Sequence, residues 1–405
     1  MPVAAFRQRT SRRSLIPAIT VAVVLVLGVV IQAAVASNAT PGVATPAFPR
    51  EVAAYSWWTG MLSSSSVDAA TMVYQNGAGV ESMDFPQAVL LGTDGATYRR
   101  LDAAESLRIS ADQGAPAASI LSADGRFVVV GKADGGGGVE VVTLRGNERR
   151  SILVGDGLSV IPLSIAADGR SVLILTSQTT LSTLIGPHST LHGALSLLDL
   201  QTGTARKYPD LTDVSAAALS PDGTSIVAEN GRDLVLLDAV TGKVADTPLS
   251  SSGVGHLDGD AWSPDGRRFA QLGRNILRII DVTAAEPVEK VVTLQGVAFG
   301  SAIGWRDPST VLVHTRAESG DNCSEFSWVD VESGAREPFA SYAPDFTGAS
   351  LIAPDVARSL VPLWRVDDRD VNRGPLPLSL TIPPAALVVL VAWIATPRRR
   401  RPRSA

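Results

Sequence analysis

The feature that most constrains this chain is a repeat. Four segments share one pattern: an apolar residue, two small residues, then Asp-Gly and a β-rich run. They are Leu121-Ser122-Ala123-Asp124-Gly125, Ile165-Ala166-Ala167-Asp168-Gly169, Leu219-Ser220-Pro221-Asp222-Gly223 and Trp262-Ser263-Pro264-Asp265-Gly266. Two looser copies follow. Trp305-Arg306-Asp307-Pro308 is one residue shorter, and Ile352-Ala353-Pro354-Asp355 lacks the Gly. Successive Asp residues lie 44, 54, 43, 42 and 48 positions apart. A period in the forties is the length of a four-stranded propeller blade.

The interior of each period agrees. A β run follows the Asp-Gly, as in Phe127 to Val130, Val172 to Leu175 and Ile226 to Ala228. A second hairpin follows, marked by an Asp and then Thr-Gly or Ser-Gly: Asp199 with Gly203, Asp238 with Gly242, Asp330 with Gly334. Such a Gly supplies the positive φ that a short hairpin turn needs. With no helical periodicity between these signals, the class is all-β. The repeated Asp124, Asp168, Asp222, Asp265, Asp307 and Asp355, with Gly125, Gly169, Gly223 and Gly266, read as structural turn residues, because Asp bonds its own backbone in turns.

At these residues the chain resembles the TolB-like, WD-repeat-related β-propellers, over roughly Asp84 to Asp367. The resemblance implies a six-bladed ring, matching the six Asp positions, and a binding or scaffolding architecture more than an activity. Ring closure is expected from Gln87 to Gly92 and Ala96 to Leu101, joined by Thr93-Asp94-Gly95. These would supply outer strands to a last blade whose two inner strands begin around Asp355 and end near Trp364-Arg365-Val366. Thr71 to Tyr74 reads as a further strand and leaves seven blades open.

Both ends read as membrane segments. Residues 14–49 hold no charge, and the apolar heart 15–36 is 22 residues long, about 33 Å as a helix, enough for a ~30 Å hydrocarbon core. Leu376 to Thr396 is again uncharged. Arg7, Arg9, Arg12 and Arg13 precede the first segment, and Arg398 to Arg401 with Arg403 follow the second. The positive-inside rule puts both termini in the cytoplasm and the middle outside. Ala34-Val35-Ala36 also reads as a cleavage site, and Arg12-Arg13 resembles a twin-arginine signal, so the first segment is a retained anchor or a removed signal segment. The organisation expected is a basic arm at 1–14, a span or signal at 15–36, a stalk and undecided segment at 37–85, a propeller at 86–367, a span at 376–396 and an Arg-rich tail at 397–405.

Charge and chemistry narrow the function. All 40 Asp and Glu lie between the two spans with 26 of the 35 Lys and Arg, so the middle carries a formal charge of −14. That acidity disfavours nucleic-acid binding. One Cys excludes an internal disulfide framework and a Cys-based zinc site. No G-x-S-x-G, P-loop or dinucleotide fingerprint is present. His188 and His192 stand four apart but lack the Glu of H-E-x-x-H. Asp258 and Asp260 lack an EF-hand spacing and read as turn residues. Cys323 reads as an inert thiol, with cross-linking to a partner as the other option. Trp57-Trp58 reads as packed on the propeller, with an interfacial anchor or a ligand platform as alternatives.

No catalytic residue, cofactor site or metal site is therefore assigned. The function expected is a membrane-anchored, extracytoplasmic, non-catalytic binding, scaffold or sensing module of the cell envelope. Its partner would be an envelope protein, peptide or polymer, beside the lipid bilayer itself. The alternative is an envelope hydrolase or lactonase-like enzyme with a metal in the channel, for which Glu140, Asn230 and Asp258 are candidate inward-facing groups.

Overall fold

The computed structural model describes residues 45–78, 85–108, 112–182, 191–231, 233–245, 249, 256–283, 287–317 and 321–375. They form six antiparallel blades around one axis. Blade 1 runs outward through Ser119–Leu121, Phe127–Gly131, Gly138–Thr143 and Arg149–Leu153. Blade 2 follows with Ser159–Ile165, Ser171–Ser177, Ala194–Asp199 and Ala205–Lys207. Blade 3 has Val214–Leu219, Ser225–Asn230 and Asp233–Asp238, with a Leu237–Val244 bridge at its outer edge. Blade 4 has Arg268–Gly273, Ile276–Asp281 and Val288–Thr293, with its inner edge held by bridges from His256 to Leu272 and from Trp262 to Phe269. Blade 5 has Val297–Asp307, Thr310–Ala317, Ser324–Asp330 and Arg336–Tyr342, and Glu51–Val52 adds a parallel fifth strand.

Blade 6 closes the ring. Its inner strand Leu351–Val356 pairs with Ala70–Asn76, and then come Gln87–Gly92 and Tyr98–Arg100. The two segments expected as its outer strands are there. The second strand differs: it is Ala70–Asn76 from the N-terminal side, so the segment that left seven blades open belongs to blade 6. Arg365–Asp367 instead runs parallel to Ala47–Pro49 outside the blades. The propeller thus begins before residue 86. Within the segment read as a stalk, Phe48 is fully buried and stacks on Trp364 at 4.6 Å between ring centroids.

Six apolar clusters hold the six blades together, one at each interface. Val128 and Val130 join a cluster with Val73 and Leu90 of blade 6, while Val129 between them joins Ile165 and Ile174 of blade 2. Leu173 and Leu175 face blade 3, and Val172 and Ile174 face blade 1. Alternate side chains of one strand therefore serve two neighbours, which is why these strands read as continuous apolar runs rather than alternating ones. Each such side chain contributes roughly 1.5–3 kcal/mol when fully buried.

The repeat signature has a hydrogen-bonding logic. Ser122 is buried, and its Oγ donates to Asp124 Oδ1 at 2.8 Å while accepting from the N–H of Arg126 and Phe127 at 2.9 and 3.0 Å. Ser220 and Ser263 repeat this with Asp222 and Asp265, both at 2.6 Å. Where blade 2 has Ala166, Asp168 holds the Arg170 N–H alone at 2.8 Å. Trp262 and Trp305 each donate an indole N–H to the preceding blade, to Ala218 O at 3.0 Å and Ala261 O at 2.8 Å.

Among the described residues no helix is long and apolar enough to cross a membrane. The segments read as spans, 15–36 and 376–396, lie outside the described residues, as do both Arg-rich flanks.

Gly125 gives a test of the closure. Its φ is +73° and a Cβ there would meet Ala70 O at 2.1 Å, the contact by which blade 1 touches blade 6 through the Ala70 N–H to Gly125 O bond of 2.8 Å. At Gly223, also at φ +73°, a Cβ would meet nothing closer than Ala166 Cβ at 3.8 Å. Gly223→Ala should cost about 1–2 kcal/mol of backbone strain alone. Gly125→Ala should cost clearly more, read as the larger drop in melting temperature.

Candidate functional site: a one-ended axial pocket

The inner strands all run the same way, so the disc has two unlike faces. The chain enters the inner strands on one, the mouth face, and leaves through the Asp-Gly turns on the other, the turn face. A pocket of about 350 Å³ lies on the axis. Its lining includes Ala118, Ser215, His256 and Ile352, all near the starts of inner strands, so it opens at the mouth face.

The axis is closed on the turn side. Gly259 of blade 4 meets blade 2 across the axis, where Ser164 Oγ donates to Gly259 O at 2.6 Å and accepts from the Leu219 N–H of blade 3 at 3.1 Å. A Cβ on Gly259 would meet Leu163 O at 2.1 Å, so only glycine allows this approach. Arg358, just after the inner strand of blade 6, donates to Ile165 O of blade 2 and lies 3.6 Å from Asp260 Oδ1. Asp355 Oδ2 accepts the Leu121 N–H of blade 1. Five blades meet in this floor.

Three carboxylates line the pocket: Asp258, and Asp260 and Asp355 of this floor. Asp260 and Asp355 both line the pocket, and the charge of one disfavours ionisation of the other. Burial, opposed by Arg358, pushes Asp260 up to about 6. Burial and the Asp260 charge push Asp355 up as well. Asp258 is pushed up to about 7, first by burial and then by the Glu229 carboxylate. As a residue Asp258 keeps partial exposure, but its Oδ2 is shut off from water and has no hydrogen-bond partner.

A polar chain leads outward from this pocket through blades 3 and 4. Ser215 Oγ and Gln271 Nε2 donate to Glu229 at 3.3 and 3.0 Å. Arg278 donates to Gln271 Oε1 at 2.9 Å and forks onto Glu289 at 2.8 and 2.9 Å. Arg278 is only 3 % exposed, so Glu289 and Gln271 together satisfy a cation held deep in the sheet stack.

The residues singled out from the sequence fall as follows. Asp124, Asp168, Asp222, Asp265 and Asp307 stand at turns and bond the backbone or a hydroxyl within three residues. Gly125, Gly169, Gly223 and Gly266 all have φ between +68° and +73°. Asp355, read as a sixth turn residue, instead lies within strand Leu351–Val356 opposite Val73. Asp258 and Asp260, read as turn residues, do flank a turn closed by the Ala261 N–H to Asp258 O bond of 3.1 Å, and they also line the axial pocket. Glu140 does not face the axis: it is on the third strand of blade 1, 3.6 Å from Arg149. Asn230 ends the second strand of blade 3, where its Oδ1 accepts the Asp213 N–H at 3.2 Å. His192 pairs with Asp213 at 2.8 Å, and His188 lies outside the described residues. The Cys323 thiol is pushed up by partial burial and by Asp321. Among the described residues no group of three or more His, Cys, Asp or Glu is disposed to hold a metal ion.

One signal for the pocket was present in the sequence. Aligning blades on the turn Asp puts Asp260 level with Ser119, Leu163 and Ala217, and Asp258 level with Ala117, Ile161 and Ser215. All eight line the pocket. Only blade 4 carries acids at these two positions.

No family model and no curated protein matches the chain. Solved structures do. TolB from Acinetobacter baumannii is similar at 16% identity, covering 71% of this chain and 67% of that one, with a TM-score of 0.48. A putative TolB from Agrobacterium tumefaciens is similar at 16% identity, covering 70% and 98%, with a TM-score of 0.42. A chain of a nidogen/laminin complex shares 9% identity over 72% of this chain and 99% of that one, with a TM-score of 0.48.

The carboxylates set an unusual pH dependence. Asp258 and Asp260 hold protons more tightly folded than unfolded, so between about pH 4 and pH 7 stability should rise as pH falls. Asp199, Asp238 and Asp330 are held below the usual carboxylate range, chiefly by Thr202, Thr241 and Ser333, and their contribution is lost only as pH falls below about 4. Melting temperature should therefore peak near pH 4. Asp258→Asn should flatten the fall between pH 5 and 7, and an unchanged slope would remove Asp258 as its source.

Proposed function

We propose that this chain is a non-catalytic binding or scaffold propeller of the cell envelope, anchored by its apolar flanks with the propeller on the extracytoplasmic side. Its axial pocket receives a cationic side chain, that of Lys or Arg, from an envelope protein or peptide. One observation carries this reading: an axial pocket with apolar walls is lined by three carboxylates, Asp258, Asp260 and Asp355. In such surroundings an incoming cation favours the charged carboxylate that burial disfavours. The −14 charge of the middle of the chain would draw such a partner in. Asp260 and Asp355 are taken up by Arg358 and by backbone N–H groups, which supports binding over acid–base chemistry.

The test is a calorimetric titration of the purified chain with short Lys- and Arg-bearing peptides. Affinity should increase from pH 6 to pH 8 as Asp258 ionises, and Asp258→Asn should weaken it by about tenfold, the effect of losing one charge-assisted hydrogen bond. Equal affinity in the variant, or none in the parent, would overturn the reading. Stoichiometric calcium or zinc in the purified protein would instead favour the alternative of a metal-dependent envelope hydrolase. Topology has its own check. Reporter fusions after Gly203 should be active only outside the cytoplasm, and fusions at the extreme C-terminus only inside.

A further inference from the structure

Four large aromatic side chains stand exposed together on the mouth face at blades 5 and 6. Trp57 is 39 % exposed, Trp58 50 %, Phe85 67 % and Phe346 83 %. The Trp57 ring meets Phe346 edge to face at 6.4 Å between centroids. The Tyr55 hydroxyl holds both Phe85 O and the Phe85 N–H, at 3.2 and 3.3 Å. Ser56 O accepts from Gln87 Nε2 at 3.2 Å, which fixes the strap to the start of its neighbouring strand. These rings are therefore held in place while facing outward, and an exposed aromatic group of this kind marks a surface that something covers.

The path of the chain says what covers it. Arg373 donates to Ala54 O at 2.8 Å and to Thr59 Oγ1 at 3.0 Å, and the Gly60 N–H donates to Arg373 O at 2.7 Å. Pro375 O lies 3.1 Å from where a Gly60 Cβ would be. The last described residue thus sits beside the strap that carries Trp57 and Trp58. The next residues in sequence, Leu376 to Thr396, are uncharged and apolar, and five Arg follow. Tryptophan, with an apolar ring and one N–H donor, favours the boundary between headgroups and acyl chains.

Resting on the anchor reading above, we propose that the Trp57, Trp58, Phe85 and Phe346 patch lies in the bilayer interface and seats the rim of the mouth face on the lipid surface. The other flank is compatible with this seating. Thr45 is on the turn side, close to Arg365, which donates to Pro46 O at 2.9 Å. Residues 37–45 can reach about 30 Å when extended, whereas a seven-residue strand such as Ala70–Asn76 is only about 23 Å tall.

The test uses the full chain with Cys323→Ser, carrying Phe346→Cys or Trp58→Cys labelled with an environment-sensitive nitrobenzoxadiazole dye. Val240→Cys is the reference: it is 63 % exposed, on a hairpin turn of the opposite face. Each protein is reconstituted into vesicles of phosphatidylcholine and phosphatidylglycerol. The dye at 346 and 58 should emit to the blue, resist aqueous iodide several-fold better than at 240, and be quenched by brominated acyl chains. Iodide access equal to that at 240 overturns the proposal. Shielding from iodide without quenching by brominated lipid also overturns it, because a second copy or another protein then covers the patch. Failure of the chain to float with vesicles after a high-salt wash defeats the anchor reading, and the proposal with it. Flotation with an iodide-accessible 346 defeats the patch alone.

Discussion

Every blade of this protein is apolar on both faces, and that is the constraint from which the rest follows. Val128 and Val130 need blade 6, and Val129 needs blade 2. A stack of such sheets has no natural end, because a terminal blade would leave one greasy face in water. Closing the stack into a ring is the only arrangement that buries all six interfaces. The ring then depends on blade 6, which is assembled from both ends of the described chain: one inner strand from the C-terminal side and three from the N-terminal side. Most of the loop-closure entropy is met by this blade; the other five are built from local hairpins, with Glu51–Val52 added at the edge of blade 5.

Closure also forces polar groups together. Where inner strands converge, backbone amides and turn-proximal side chains meet with little water between them, and each needs a partner. Ser164, Arg358, Asp260 and Asp355 supply those partners across blades rather than within them. Asp258, Asp260 and Asp355 carry raised pKa values because the low-dielectric surroundings disfavour charge. The same ring geometry that buries the apolar clusters thus creates the one polar concavity on the axis.

How much of this is legible in the sequence depends on whether a feature is local. The Asp-Gly turns are local, so Ser122-Ala123-Asp124-Gly125 and its copies are visible together with their period, while the choice between six and seven blades is not. Blade 6 is harder to read. Its inner strand contains Pro354, and Ala353 has a positive φ of +46°, so Ile352-Ala353-Pro354-Asp355 looks like a turn while being a bulged strand with Asp355 buried in the middle. Its partner Ala70–Asn76 is some 280 residues away in sequence, and no local signal announces that pairing. Asp258 and Asp260 do stand at a turn, closed by the Ala261 N–H to Asp258 O bond of 3.1 Å, and only alignment of the blades shows that this turn lies on the axis. The aromatic strap at Tyr55 to Trp58 gives no periodic signal at all, because it runs over blades whose repeats lie elsewhere.

The contact between Gly259 and Leu163 has a consequence for what the propeller can hold. A ring open at both ends lets a polymer thread through, so that any interior stretch can be gripped and the grip can slide. Here the axis is blind, so a visiting group leaves by the path it came in on. A long chain can offer such a cup only a side branch or a terminus. A group held on this axis would therefore be a protruding one, because the close approach of Gly259 to Leu163 leaves no room for a chain to pass between blades 2 and 4.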